Sequence, residues 1–301
     1  MELNFGEITL DEAPDYLRHW EMCAQRTSDY CFPIIWGLGP DYGTRVAFDP
    51  STDLYFLHQK KDWHADLAPV GNWMRDDWAA VLRDRYPREI TFYLVPEVLA
   101  DIWKAELEGH AEVEIKNERG TWEYLYDINK LATLAGNKLM KKRNRTNQFR
   151  KSYDYEYLPI TEELLPEIME FQVHWCHVNN CADMQGLYQE DHAILRILGS
   201  WGRIPNLCGG AIRIDGKIVA YTVGELARNM LVVHFEKADT DYGAAYQAIN
   251  RDFCEHMAEE HPELEIVNRE EDLNDAGLRA AKMSYMPLGF IKECQVKIRF
   301  H

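Results

Sequence analysis

Met230-Leu231-Val232-Val233-His234-Phe235-Glu236 runs on through Lys237-Ala238-Asp239-Thr240-Asp241-Tyr242 into Gly243-Ala244-Ala245 and a long helical pattern. An apolar strand that feeds a helix through small residues leaves N–H groups and the positive end of the helix dipole exposed. Small side chains let a ligand approach the backbone there, and Lys237 adds a formal charge. The next apolar run, 264–267, ends in Asn268-Arg269-Glu270-Glu271-Asp272. Strand, helix and strand in this order call for a parallel pair joined by a crossover. Ligands of open α/β sheets sit beyond the carboxyl ends of such strands. Residues 236–239 and the 268–272 cluster are therefore expected at one sheet edge.

Working outward, apolar runs predict strands over 45–48, 54–57, 90–95, 111–115, 121–126, 208–214, 217–226, 230–236, 265–268 and 292–300. Asp215-Gly216 between two of them is a hairpin signal, because φ > 0 is inexpensive at that pair. Helical patterns fall over 11–23, 73–85, 97–108, 130–149, 162–177, 189–200, 242–260 and 276–283. The alternation is mixed α/β, an α+β mixed sheet.

The chain reads as written twice. Ile8-Thr9 before Asp11-Glu12 and Pro14 matches Ile160-Thr161 before Glu162-Glu163 and Pro166, an offset of 152. Threonine before acidic residues starts a helix well, because its hydroxyl accepts an orphan N–H. Asp77-Trp78 through Tyr86-Pro87 and the strand after it match Asp252-Phe253 through His261-Pro262, an offset of 175. The rise in offset places an insertion of about twenty residues near 182–203 in the second copy. The division expected is a first domain over 1–129, a basic linker helix over 130–152 and a second domain over 153–301.

With 50 acidic against 33 basic side chains, the formal charge of −17 excludes broad nucleic-acid binding. The exception is 138–151, where Lys138, Lys141, Lys142, Arg143, Arg145, Arg150 and Lys151 stand with no acid among them. That segment is a candidate anion site for a phosphorylated cofactor, a tRNA end or a lipid phosphate. No run reaches the length of a membrane span, and Glu7, Asp11, Glu12 and Asp15 interrupt any signal-peptide core. Seven cysteines, an odd number without an export signal, are expected as reduced thiols in a cytoplasmic protein. His174, Cys176, His177, Cys181 and His192 approach a metal cluster, but their spacing is not that of a zinc ribbon, and no metal is expected. Gly37-Leu38-Gly39-Pro40 lacks the dinucleotide spacing and reads as a turn between strands.

The tail Ala276-Gly277-Leu278-Arg279-Ala280-Ala281-Lys282-Met283-Ser284-Tyr285, with Gly289-Phe290 and a last strand, resembles the end of GNAT acyltransferases. There a tyrosine commonly serves as general acid to the departing thiolate, and Tyr285 stands at the matching position. The Arg/Gln-x-x-Gly-x-Gly/Ala loop of that family, which holds coenzyme A pyrophosphate, is replaced by Asp239-Thr240-Asp241-Tyr242-Gly243-Ala244. A broader resemblance rests on Leu134-Ala135-Gly136-Asn137-Lys138 to Lys142-Arg143-Asn144, His234-Phe235-Glu236-Lys237-Ala238, Asn268-Arg269-Glu270-Glu271-Asp272 and Lys282-Met283-Ser284-Tyr285. Together these look like the soluble C-terminal domains of phosphatidylglycerol lysyltransferases, relatives of Fem-type aminoacyl transferases.

The resemblance implies tandem GNAT-like domains and an acyl- or aminoacyltransferase. Glu270, Glu236 and Tyr285 are the candidate catalytic groups, a carboxylate base and a phenol acid. Lys237, Gly243, Ala244, Asn268, Arg269, Asp272 and Lys282 are candidate substrate contacts, and Lys141, Lys142 and Arg143 candidate contacts to donor phosphates. The donor is aminoacyl-tRNA or acyl-CoA, with no tightly held cofactor. The acceptor is a small molecule or a lipid headgroup. An acyl-CoA-dependent N-acyltransferase and a non-catalytic binding module are the alternatives.

Overall fold

Thr9 offers its hydroxyl and its backbone N–H to one Glu12 carboxylate oxygen, each at 2.8 Å, and Pro14 follows in the first turn. This capping box opens the 3-10 turn Leu10–Glu12, which runs directly into α1 (Ala13–Met22), where the sequence asks for a helix. The computed structural model describes residues 3–60 and 65–301. The chain divides into unit 1, Met1–Glu123 with Ile291–His301, and unit 2, Tyr124–Phe290.

Unit 1 continues through α2 (Phe32–Gly37), α3 (Gly39–Tyr42), β1 (Thr44–Asp49), β2 (Leu54–Gln59), β3 (Ala65–Leu67) and β4 (Val70–Gly71). Then come α4 (Trp78–Arg85), β5 (Glu89–Pro96), α5 (Glu97–Glu106) and β6 (Ala111–Asn117). The expected turn over 37–43 is thus helical; Pro33 and Pro40 each fall in a first turn, where a missing N–H costs nothing. Helix 73–85 starts late, at Trp78.

Unit 2 begins with β7 (Glu123–Asp127), α6 (Ile128–Thr133) and α7 (Met140–Ser152). It continues through β8 (Tyr155–Pro159), α8 (Leu165–Val178), α9 (Gln185–Leu198), β9 (Leu207–Ile214), β10 (Lys217–Ala227) and β11 (Met230–Ala238). It closes with α10 (Ala245–Glu260), β12 (Ile266–Asn268), α11 (Ala276–Met283) and β13 (Gly289–Ile291). The last strand, β14 (Glu293–Phe300), belongs to unit 1.

The two sheets have one plan. Among the described residues the order is β1-β2-β3-β5-β14-β6 in unit 1, with β4 beside β2, and β8-β9-β10-β11-β12-β7-β13 in unit 2. In each, the strand before the helix crossover is parallel to the strand after it, β3 with β5 and β11 with β12. In each, the strand added next to that pair is remote from it in sequence: β14 follows all of unit 2, and β7 opens unit 2. The written-twice reading therefore has its counterpart in topology, and α9 falls in the stretch expected to be inserted.

Three expectations change. The domain division falls at 123/124 and 290/291, because Val296 and Ile298 bury themselves between β5 and β6 and draw the last strand into unit 1. The single basic helix over 130–149 is two helices. Leu134 turns left-handed, Gly136 follows at φ 91°, and the Arg143 guanidinium donates to the Leu134 and Gly136 carbonyls at 2.7 and 3.3 Å. Finally, Cys176 and Cys181 are not thiols but a disulfide. Left-handed Asn180 folds the chain back after α8 and brings their Cα atoms to 5.1 Å. Cys23, Cys31, Cys208, Cys254 and Cys294 are thiols outside any disulfide.

Candidate active site

The site is set by a fault in β11. Val223 pairs with Phe235 while Gly224 pairs with Val233, so His234 is an extra residue. A bulge of this kind shifts the alternation that follows it. Leu231 and Val233 pack with Phe253, Cys254 and Met257 of α10 before the bulge, and Ala238 with Ala245 and Ile249 after it. Glu236, two residues before Ala238, thereby also faces α10. Gly224 is required opposite the fault, since a Cβ there would collide with the Val232 carbonyl oxygen.

Glu236 accepts from the Asn250 amide of α10 at 3.0 Å and from the Arg269 guanidinium at 3.1 Å. Arg269 follows β12, the parallel neighbour of β11, so the two strand ends meet as the crossover predicts. The guanidinium lies 5.0 Å from the ring centre of Tyr285 and 5.9 Å from that of Tyr126. Lys142 of α7 stands 4.2 Å over the same Tyr285 ring. Burial works against the Arg269 charge, yet Glu236 and the two tyrosines raise its pKa above the ordinary value. Burial pushes the Tyr285 phenol up to about 12, against the opposing pull of Arg269, so it keeps its proton at neutral pH. Burial, Arg269 and Arg145 lower the pKa of Lys142. The result is a half-buried carboxylate, two cations and a protonated phenol at one strand edge.

Other expected residues fall around this group. Lys282 donates to the Arg269 carbonyl at 2.5 Å and to the Glu271 carbonyl, fixing the backbone that carries Arg269. The Asn268 amide oxygen accepts the Glu270 N–H at 2.9 Å. Asp272 is buried and bound by Tyr124 at 2.5 Å and by Arg279 at 2.7 Å, a structural tie under the loop. Glu270 has a different partner from Glu236. In a left-handed conformation, it accepts from His234 Nδ1 at 2.8 Å. Burial opposes the His234 charge, but Glu225 and Glu270 raise its pKa to about 9.

Lys237 points to the opposite face, 2.6 Å from Glu190 and 4.4 Å over the Trp175 ring. Ala244 caps α10 in a left-handed conformation after Gly243, and the Asp239 carboxylate takes the Asp241 N–H at 2.9 Å. Lys141 is exposed on α7, whereas Arg143 is committed to capping α6. Asn250 and Tyr126 were not foreseen. Asn250 sits in the middle of a helix among apolar neighbours, a position where its amide needs a partner, and that oddity was the available signal.

The family model for the C-terminal domain of phosphatidylglycerol lysyltransferase matches residues 21–292. A conserved protein of unknown function from Bacteroides thetaiotaomicron is 31% identical, with TM-score 0.85 and full coverage of both chains. The C-terminal domain of a putative lysylphosphatidylglycerol synthetase from Agrobacterium fabrum shares the fold at TM-score 0.65 and 15% identity, covering 96% of this chain and 91% of that one. FemX does so at TM-score 0.63 and 8% identity, covering 98% and 96%. A curated, uncharacterised protein of Mycoplasmoides gallisepticum is 29% identical over 203 residues, 66% of this chain, and the chain spans 64% of that relative's length. No helix among the described residues is long and apolar enough to cross a membrane.

Proposed function

The chain belongs to the phosphatidylglycerol lysyltransferase C-terminal family, and on that premise we propose that unit 2 moves an aminoacyl group from an aminoacyl-tRNA ester to an amine or hydroxyl acceptor. The observation that carries the proposal is Glu236, held by Asn250 and Arg269 beside a phenol that burial keeps protonated.

The acceptor heteroatom attacks the ester carbonyl. Its bond to carbon forms as the carbonyl π bond opens to an oxyanion, which Arg269 and Lys142 stabilise as cations in a poorly hydrated corner. Collapse of the oxyanion breaks the bond from the carbonyl carbon to the ribose oxygen. That oxygen takes the Tyr285 proton, and Glu236, having accepted the acceptor's proton, returns it to Tyr285. No net proton is gained or lost, and holding donor and acceptor together supplies much of the rate. Glu270 serves this step through His234 and the loop, not as its base.

A tRNA ester is favoured over acyl-CoA by the α10 entry. There Asp239 and Asp241 stand where a pyrophosphate would have to approach, and Asp239 already occupies a backbone N–H. The exposed Lys138 and Lys141 extend from Lys142 as a path for tRNA phosphates.

The test is label transfer from charged tRNA to small amines and to phosphatidylglycerol vesicles, run beside coenzyme A binding. Transfer from tRNA that E236Q abolishes supports the proposal. Transfer from acetyl-CoA instead, or tight tRNA binding with no transfer to any acceptor, overturns it in favour of an N-acyltransferase or a binding module respectively.

A further inference from the structure

Unit 1 holds a second polar group, built from residues not used above. Glu123 ends the segment Met1–Glu123, and Glu293 stands two residues after the chain re-enters unit 1 at Ile291. Both are wholly buried. Asp29, in the short 3-10 turn Ser28–Tyr30, brings a third carboxylate, and one oxygen of each lies within 4.8 Å of the other two. Ser28 donates its N–H and its hydroxyl to one Glu123 oxygen at 2.6 and 2.7 Å.

Glu293 is different. Neither of its oxygens is held by a well-formed hydrogen bond; the Thr27 hydroxyl, 1% exposed, and the Asp29 carboxyl face it without closing one. Burial pushes the Glu293 carboxyl well above its ordinary range, and the neighbouring Asp29 and Glu123 charges push it the same way. Buried polar groups are almost always satisfied, so an acceptor pair and a hydroxyl both left open point to something absent from the protein chain itself. A proton satisfies one oxygen. A cation satisfies the whole set, because three carboxylates and a hydroxyl form a hard, all-oxygen shell of the kind calcium, magnesium and manganese take.

We propose that Asp29, Glu123 and Glu293, with the Thr27 hydroxyl, bind a divalent cation. Glu123 opens β7 and Glu293 opens β14, so the ion fastens to the turn over 27–29 the two places where the chain leaves and re-enters unit 1. Its role is structural, and it needs no part of the transfer chemistry.

Terbium(III), a luminescent stand-in for calcium, tests this on the full chain. Excitation through tryptophan should give a saturable signal that calcium displaces, and the thermal midpoint should rise with calcium and fall with EDTA. E293Q should remove the calcium-displaceable component, while E236Q should keep it. D29N, at the least buried edge of the cluster, gives the same reading if E293Q folds poorly by far-UV circular dichroism. An identical terbium signal in E293Q, D29N and the parent protein would mean binding to surface acids and would overturn the site. So would a midpoint indifferent to both calcium and EDTA.

Discussion

The two units share a strand order and a single parallel pair at the same place, yet they fill the space beside that pair differently. In unit 2 the strand before the crossover is nine residues with a bulge, and Glu236, Arg269 and Tyr285 gather at its end. In unit 1 it is the three residues of β3, and aromatic rings occupy the neighbourhood of β5: Phe92 packs 4.8 Å from Trp103, which packs 5.6 Å from Trp78. A repeated scaffold thus constrains topology far more than chemistry. The same crossover supports a largely buried polar cluster in one copy and a dry aromatic wedge in the other. The difference rests on one extra residue and a handful of side chains.

The comparison fails most plainly if catalysis does not follow the polar edge. E236Q keeps the shape of the side chain and removes the proton acceptor, so kcat for transfer should fall by about 10²–10⁴-fold with little change in KM. The matched change in unit 1 is D66N, on β3, where Asp66 accepts from Tyr86 at 3.0 Å. It should alter kcat by less than about threefold. Steady-state rates of both variants decide the matter, and equal losses would end the assignment of function to unit 2 alone.

The aromatic wedge makes the opposite claim. W103A removes a fully buried ring that touches both Phe92 and Trp78, and should cost about 3–5 kcal/mol in urea unfolding, while the folded fraction keeps its kcat. A large loss of kcat per folded molecule would show that unit 1 does more than support.

His234 sharpens the contrast through pH. Its folded pKa, about 9, lies above the ordinary 6.5, because Glu225 and Glu270 hold the imidazolium against the cost of burial. A raised pKa of this kind stabilises fully below about pH 6.5, and the contribution is lost as pH rises through 9. It amounts at most to roughly 3 kcal/mol. Thermal midpoints between pH 6 and 9.5 should fall for the parent protein more steeply than for H234Q. Parallel curves for the two would show that the imidazolium contributes nothing.

Much of this was legible in sequence. Thr9 with Glu12 and Pro14 fixed α1, Asp215-Gly216 fixed the hairpin of β9 and β10, and the paired offsets foretold the duplicated plan, all through local chemistry. Arg269, Glu236, Tyr285 and Lys142 were named from patterns, and the structure brings them together. What stayed hidden depends on tertiary pairing. No local rule says that Val296 and Ile298 prefer the first sheet to the second. None says that one unpaired residue at His234 turns Glu236 toward α10 and leaves Glu270 with the imidazole. The break of the basic helix was half visible, since Gly136-Asn137 is a stop signal that the surrounding lysines outweighed. The disulfide was masked by a compartment argument, because Cys176 and Cys181 lie five residues apart, on either side of a left-handed turn that only the structure reveals.

The smallest expected effect concerns the basic segment, which divides within itself as the two units divide. Arg143 and Arg150 are engaged, the first in capping α6 and the second with Asp252 at 2.6 Å and Glu255 at 3.0 Å. Lys141 and Arg145 are exposed on α7. If donor phosphates run along that exposed face, each contact adds about 0.7–0.9 to the slope of log affinity against log salt. K141Q with R145Q should then lower the slope for charged tRNA by about 1.4–1.8 and weaken binding several-fold at low salt. R83Q, on α4 of unit 1, should leave the slope as it is. Fluorescence anisotropy between 50 and 300 mM salt reads all three. An unchanged slope in the double variant would move the tRNA contact off α7, and would leave Lys142 there for the reacting centre alone.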